Sequence, residues 1–334
     1  MTKCLQLDPQ LVTAGARCSP VVGLGLAALG RPAYITPGRD RDLGVSRSVA
    51  ELEAEARTVL DAAYAAGIRY VDCARSYGLA ERFLGGWLRD RPEAADVTVA
   101  SKWGYAYVGG WQLEAEVHEV KDHGLAAFET QLAESRAELG RRLDVYQVHS
   151  LTPDSPALQD RELHRRLAAL RDEGVVVGFS SSGPRQADVI REALALEVDG
   201  AGLFGVVQST WNLLEPSAGP ALAEASAAGL RVVVKEAVAN GRLVGAEEDP
   251  APGASAVVRL AAELGVSADQ VAVAAVAAQP WVSVVLSGAV TAGQLRSNLD
   301  GAALALPTGW VDSVVSDVEG PETYWRRRSE RTWT

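Results

Sequence analysis

Cysteine is scarce in this chain: Cys4, Cys18 and Cys73 are the three among 334 residues. No two have CxxC spacing and an odd number cannot all pair, so the fold is not a disulfide framework and a reducing compartment fits. There are only four histidines. His118, His123 and His164 lack ligating partners at helical or hairpin spacing, which argues against a zinc site. Basic residues are in the minority, 32 Lys and Arg against 43 Asp and Glu, for a net charge of -11. That balance argues against a nucleic-acid groove, which needs clustered cations, and otherwise concerns solubility. Residues 1–12 hold no apolar core of signal-peptide length, so a cytoplasmic protein is expected. No low-complexity linker and no internal repeat interrupts the chain. One uncharged stretch, from Gln270 to Gln294, would let residues 271–290 pass for a membrane span by hydropathy. Pro280 divides it into an Ala/Val helix and the short strand Trp281-Val282-Ser283-Val284-Val285-Leu286, so a buried helix and a buried strand are expected.

With 48% hydrophobic and 22% charged residues the composition is that of an ordinary soluble globular protein. Strand-like and helix-like runs alternate. Strands are expected at 21–27, 69–73, 97–102, 143–149, 175–180, 203–209, 231–235 and 282–287. Amphipathic helices are expected at 48–66, 125–139, 163–173, 186–196, 220–228 and 255–264. Ala66-Gly67, Glu173-Gly174 and Ala228-Gly229 read as helix ends, each soon followed by a strand. Alternating β and α with about eight strands implies a parallel sheet, and eight repeats favour closure into a barrel over an open doubly wound sheet. The fold class is therefore α/β, a (β/α)8 TIM barrel in a single domain over residues 1–334. Residues 308–334 read as an irregular tail, and 104–124 as a long irregular connection, with 39–45 a third polar loop.

Three apolar runs end in polar residues: Tyr70-Val71-Asp72, Val97-Thr98-Val99-Ala100-Ser101-Lys102 and Val145-Tyr146-Gln147-Val148-His149. Tyr77 follows the first by a short turn. If the runs are parallel barrel strands, Asp72, Tyr77, Lys102 and His149 converge at the C-terminal mouth, where barrel enzymes do their chemistry. A phenol ionises near pH ~10. A neighbouring ammonium lowers that value, and a carboxylate can hold the ammonium in place. Asp72 and Lys102 would then tune Tyr77 as proton donor and acceptor, with His149 orienting a substrate oxygen. The competing structural reading is a buried Asp–Lys pair beside a core Tyr and a core His. Cys73, next to Asp72 on a strand, should face the packed helices as an inert thiol.

The words around these residues resemble the aldo/keto reductase family. The resemblance lies in Tyr70-Val71-Asp72-Cys73-Ala74-Arg75-Ser76-Tyr77-Gly78, in Ser101-Lys102-Trp103-Gly104, and in Leu143-Asp144-Val145-Tyr146-Gln147-Val148-His149. It extends over roughly 21–299 and implies a nicotinamide cofactor lying across the barrel mouth. Hydride would pass between that cofactor and the carbonyl or hydroxyl carbon of a small aldehyde, ketone or sugar. Gly178-Phe179-Ser180-Ser181 resembles the carboxamide-binding segment, so Ser180, Ser181 and Gln208 are expected on the carboxamide, and Trp211 where an aromatic ring stacks on nicotinamide. Lys235 and Gly241 fall in the segment over the pyrophosphate, where Lys235 either meets a phosphate or pairs with Glu236. Gly288, Gln294 and Asn298 fall in the closing segment at the adenosine. Family habit favours NADP(H), but Val290, Thr291 and Gln294 stand where many relatives carry the cations that bind a 2′-phosphate, and NAD(H) stays open. Gly23-Leu24-Gly25 is not a dinucleotide-binding turn; it marks the first strand, where small residues leave room for ligand.

Trp103, Tyr105 and Trp111 are the aromatics expected at the substrate, with Tyr107, Tyr34 and residues 39–41 as further contributors. Arg326-Arg327-Arg328 reads as a solvated run. No metal, nucleic acid or membrane partner is expected, and the oligomeric state is left open. A second class of function, a cofactor-binding sensor or regulatory subunit with vestigial turnover, is countered by the presence of all four residues of the catalytic tetrad that the resemblance implies, Asp72, Tyr77, Lys102 and His149.

Overall fold

The computed structural model describes residues 21–35, 42–44, 47–244 and 251–333. Cys4, Cys18, Arg39 and Arg41 lie outside these residues. Eight strands form the barrel: β1 (Val21–Gly25), β2 (Tyr70–Asp72), β3 (Thr98–Trp103), β4 (Val145–Leu151), β5 (Val176–Ser181), β6 (Val206–Thr210), β7 (Arg231–Lys235) and β8 (Val284–Ser287). Each pairs in parallel with its neighbours in chain order, and β1 closes on β8 with Val21 opposite Val284 and Leu24 opposite Ser287. Every expected strand is present, trimmed at one or both ends or shifted by a residue or two in all but β7.

The helices between strands are α1 (Val49–Ala65), α2 (Ala80–Asp90), α3 (Leu125–Leu139), α4 (Arg161–Asp172), α5 (Gln186–Leu194), α6 (Gly219–Ala227), α7 (Pro252–Leu264) and α8 (Ala268–Ala277), with α9 (Ala292–Ala302) after β8. Helix α1 starts on a capping box in which Ser48 and Glu51 satisfy each other's backbone N–H groups. The glycines after α1, α4 and α6 all have positive φ, as their expected capping role requires. Among the described residues no single helix is long and apolar enough to cross a membrane. The uncharged stretch is resolved as expected: Val271–Val276 are buried in α8, and β8 follows.

Side chains alternate along each strand, so alternate residues fill the barrel interior. Tyr70, Ala100, Val145, Val206, Val233, Val284 and Leu286 form one apolar cluster there. Two residues further along four of those strands come Asp72, Lys102, Gln147 and Gln208, all buried. The polar layer is thus the next rung above an apolar plug, at the C-terminal mouth.

Two expectations about irregular segments are corrected. Within 104–124, Tyr105–Tyr107 pairs antiparallel with Glu119–Lys121 in a hairpin beside the mouth. The tail contains α10 (Trp310–Val315) and α11 (Pro321–Ser329), the second anchored by buried Tyr324 and Trp325.

Candidate functional site

Asp72 ends β2 and Lys102 lies near the end of β3, and their side chains are 3% and 0% exposed. They form a buried ion pair through Lys102 Nζ and Asp72 Oδ1. The ammonium also donates to the Cys73 carbonyl at 3.0 Å and to the Tyr77 hydroxyl oxygen at 3.4 Å. An ammonium has three donors, so each finds an acceptor. The second Asp72 oxygen accepts from Gln208 Nε2 at 2.9 Å and, more loosely, from Gln147 Nε2 at 3.5 Å. The pair is therefore tied into the barrel floor, which offsets part of the cost of burying two charges.

Tyr77 is carried on the turn after β2. Its position depends on a close approach between two loops: a Cβ on Gly30 would lie 2.2 Å from the Tyr77 carbonyl oxygen, and one on Gly78 would lie 2.4 Å from the Gly30 carbonyl oxygen. Gly78 also has φ of +61°, a conformation glycine adopts at no steric cost. The hydroxyl stands 3.5 Å from His149 Nε2, with the two rings edge to face. His149 sits where β4 shifts register between Val148 and Leu151, beside Ser150 at φ of +55°. Such irregularities re-aim side chains at active sites. Its backbone carbonyl accepts from His123 Nε2 at 2.7 Å. The four tetrad residues meet as the sequence implied.

Their electrostatics differ from the expectation in one respect. The Tyr77 hydroxyl is pushed well above the ordinary phenol value, first by burial and then by the Asp72 charge, with Arg31 pulling the other way. Desolvation is the largest cause, and the phenol stays protonated at neutrality. His149 moves well below its ordinary value, because burial disfavours the cation and Lys102, Lys235 and Arg31 add repulsion. The imidazole is neutral.

These residues open onto a cavity of about 850 Å³, within the range of small-molecule and cofactor sites, roughly 300–1,000 Å³. It runs from Tyr77 and His149, past residues 235–241, to Gly288, Gln294 and Asn298. Gly25 is on its wall, whereas a Cβ on Gly23 would collide with Val284 and Leu286, so only the second of these glycines leaves room for ligand. Positive φ at Glu236, Ala239, Asn240 and Gly241 bends the middle wall. Gln294 has one amide function on Asp42 and the other on the Val290 N–H, and Asn298 is held between Asp269 and Ser287.

Of the residues expected around nicotinamide, Gln208 faces the cavity while Ser180, Ser181 and Trp211 do not. Ser180 accepts the Ser150 N–H at 2.7 Å and Ser181 donates to Ser209 at 2.8 Å. Trp211 directly follows inward-facing Thr210, so strand alternation turns its ring outward, edge to face against Trp281. Lys235 lines the cavity, where Nζ lies 3.9 Å from Glu236, one of the two expected neighbours, and donates to Thr210 Oγ1 at 2.7 Å, which was not expected. Burial lowers its ammonium to about 8, against the pull of Glu236.

Around the tetrad, Tyr105 and Tyr34 line the cavity and Tyr105 packs edge to face on His149. Trp103 is fully buried against Phe128, and Trp111 donates its indole N–H to the Arg47 carbonyl; neither reaches the wall. Arg326 and Arg327 are exposed, but Arg328 corrects the reading of a solvated run: it turns inward and binds Glu236 through Nε at 3.0 Å to both carboxylate oxygens. Burial works to raise the Glu236 carboxyl, yet the Arg328 and Lys235 charges prevail and hold it at about 2. Arg31 was not foreseen. It is 2% exposed, lies 5.1 Å from the Tyr77 ring, and pairs with Glu119 at 2.6 Å. Trp333, also unforeseen, lines the cavity, stacks on His118 and lies 4.6 Å from the Arg31 guanidinium. No group of three or more His, Cys, Asp or Glu able to hold a metal occurs among the described residues. Cys73 is fully buried with its thiol pushed up by burial.

Known proteins resemble this chain in sequence and in fold. The protein Tas of Escherichia coli is 24% identical over 318 residues, covering 80% of this chain and 89% of that protein. A D-threo-aldose 1-dehydrogenase of a Pseudomonas species is 28% identical over 295 residues, 77% of this chain and 86% of that one. Among solved structures, an aldo-keto reductase from Bacillus halodurans in its holo form superposes with a TM-score of 0.67 at 23% identity, covering 90% and 94% of the two chains. A glycerol dehydrogenase from Gluconobacter oxydans gives 0.63 at 25% identity, covering 89% and 90%. The aldo/keto reductase family model matches residues 43–316, and the chain belongs to that family.

Proposed function

We propose that this protein is an NAD(P)(H)-dependent oxidoreductase acting on a small aldehyde, ketone or sugar, with Tyr77 as the proton donor and acceptor. The observation that carries the reading is the hydrogen bond from Lys102 Nζ to the Tyr77 oxygen. Since that oxygen accepts from the ammonium, the phenolic hydrogen is directed elsewhere, and the cavity with His149 lies on its other side. A neutral His149 can share the substrate oxygen with Tyr77 and fix its angle. In reduction Tyr77 gives its proton to that oxygen. In oxidation it takes the proton back, and the adjacent ammonium stabilises the phenolate in the interval.

The residues present fit a dinucleotide. The cavity has the necessary volume, the bent backbone at 236–241 lies on its wall, and Gly288 has open space where a side chain would stand. The start of α9 adds a helix N-terminus favourable to phosphate. When bound, the nicotinamide would supply or accept the hydride. Gln208, Lys235, Gly241, Gly288, Gln294 and Asn298 are the residues on the wall that would hold it.

The substrate end is charged and nearly balanced, with Arg31 on Glu119 and Arg328 on Glu236. Such a wall suits a substrate rich in hydroxyl groups, and relatives named for an aldose and for glycerol point the same way. The test is turnover of a panel of aldoses, polyols and short aldehydes followed by nicotinamide absorbance. Activity on polyhydroxylated members supports the reading, and no activity on any member in either direction refutes it.

A further inference from the structure

The two ends of the cavity differ in charge. Among the described residues four cations line it, and their partners place them at the catalytic end or on the 235–241 wall next to it: Arg31 by Tyr77, Lys235 on Thr210, Arg328 on Glu236, and Arg331 two residues before Trp333. At the other end, among the described residues, the charged groups on the wall are the carboxylates of Asp42 and Asp269. Each grips an amide that also lines that end, at 2.8 Å for Asp42 with Gln294 and 3.0 Å for Asp269 with Asn298. Arg296, the one cation within α9, does not reach the cavity.

We propose that this end selects a cofactor with a free ribose 2′-hydroxyl, so that the protein binds NAD(H) in preference to NADP(H), with Asp42 and Asp269 as the discriminating residues. The proposal rests on the nicotinamide reading above and sharpens it. A carboxylate accepts hydrogen bonds from ribose hydroxyls. A 2′-phosphate offers no such donor and carries about 1.5 to 2 negative charges near neutrality. Placed beside two carboxylates it meets like charge, with no cation among the described residues of that end to offset it. Gln294 and Asn298 cannot substitute for the cation, because their amides are neutral and each already spends one donor on a carboxylate.

The test is equilibrium titration of the purified protein with NADH and with NADPH, read by the fluorescence of the reduced nicotinamide. Wild type should bind NADH at least about tenfold more tightly, the ratio expected of roughly 1.4 kcal/mol of discrimination. In Asp42→Asn/Asp269→Asn the gap should narrow to within about threefold, chiefly by tighter NADPH binding, and added salt should narrow it in wild type as well. Equal or tighter NADPH binding by wild type, with that affinity lost in Arg39→Ser/Arg41→Ser, would overturn the proposal and leave the nicotinamide reading intact. A ratio unchanged in the Asp variants would overturn the assignment to these carboxylates. Binding of neither nucleotide would overturn both.

Discussion

Splitting the Asp72–Lys102 pair is the most informative perturbation of the fold, because catalytic and structural roles meet there. The two side chains are 3% and 0% exposed, so removing one partner strands the other out of water. Such a break costs about 3–5 kcal/mol. Asp72→Asn leaves the ammonium with neutral acceptors only, and Lys102→Met leaves the carboxylate with two neutral amides. Either should lower the thermal midpoint by roughly 5–10 °C, at about 2 °C per kcal/mol for a chain of this size. The double variant removes both charges, so its loss should be smaller than the sum of the two single losses by at least about 2 kcal/mol. Urea unfolding followed by circular dichroism supplies the three values, provided the slopes match. Losses that simply add, or single losses below about 1 kcal/mol, would refute the claim that the pair is held as a unit.

Three other outcomes are expected. Glu236→Gln weakens the grip on Arg328, so amides of α11 should exchange hydrogen faster while those of β4 and β6 do not; equal protection of α11 would deny the anchor. Burial, with Lys121 adding to it, lowers His123 to about 4, below an unfolded value near 6.5. Below the unfolded value the unfolded chain takes up the proton first, so stability present above about pH 6.5 is lost as pH falls toward 4, by about 3 kcal/mol, and His123→Gln should flatten that slope. Lys235 shows the same sign in another window: its folded value of about 8 lies below the unfolded ~10.4. Keeping it charged therefore opposes folding below pH 8, and Lys235→Met should raise the urea midpoint at pH 7 while losing the gain in stability that wild type shows between pH 8 and 10.

The barrel and the tetrad were legible because both are written locally. Each strand is an apolar run with a turn signal after it, and parallel pairing in chain order leaves little freedom in the topology. Asp72, Lys102 and His149 were legible because they end or nearly end such runs. Trp211 and Ser181 were misplaced for a one-residue reason: a neighbour in sequence lies on the opposite face of a strand. Arg328 and Arg31 were missed for the opposite reason. Arg328 meets Glu236 across 92 residues, and Arg31 meets Glu119 across 88. No local pattern announces such contacts; they exist because α11 and the 105–121 hairpin fold over the mouth. Burial also reversed the expected shift at Tyr77, since spacing reveals the ammonium nearby but not the removal of water.

The central claim is that Tyr77 moves the proton. It is tested most directly by comparing wild type with Tyr77→Phe on a turned-over carbonyl substrate, measuring cofactor affinity and kcat on the same preparations. The account predicts that kcat falls by about 10²–10⁴ with cofactor affinity unchanged. A kcat within a few-fold of wild type, or an equal loss of affinity and turnover, would contradict it.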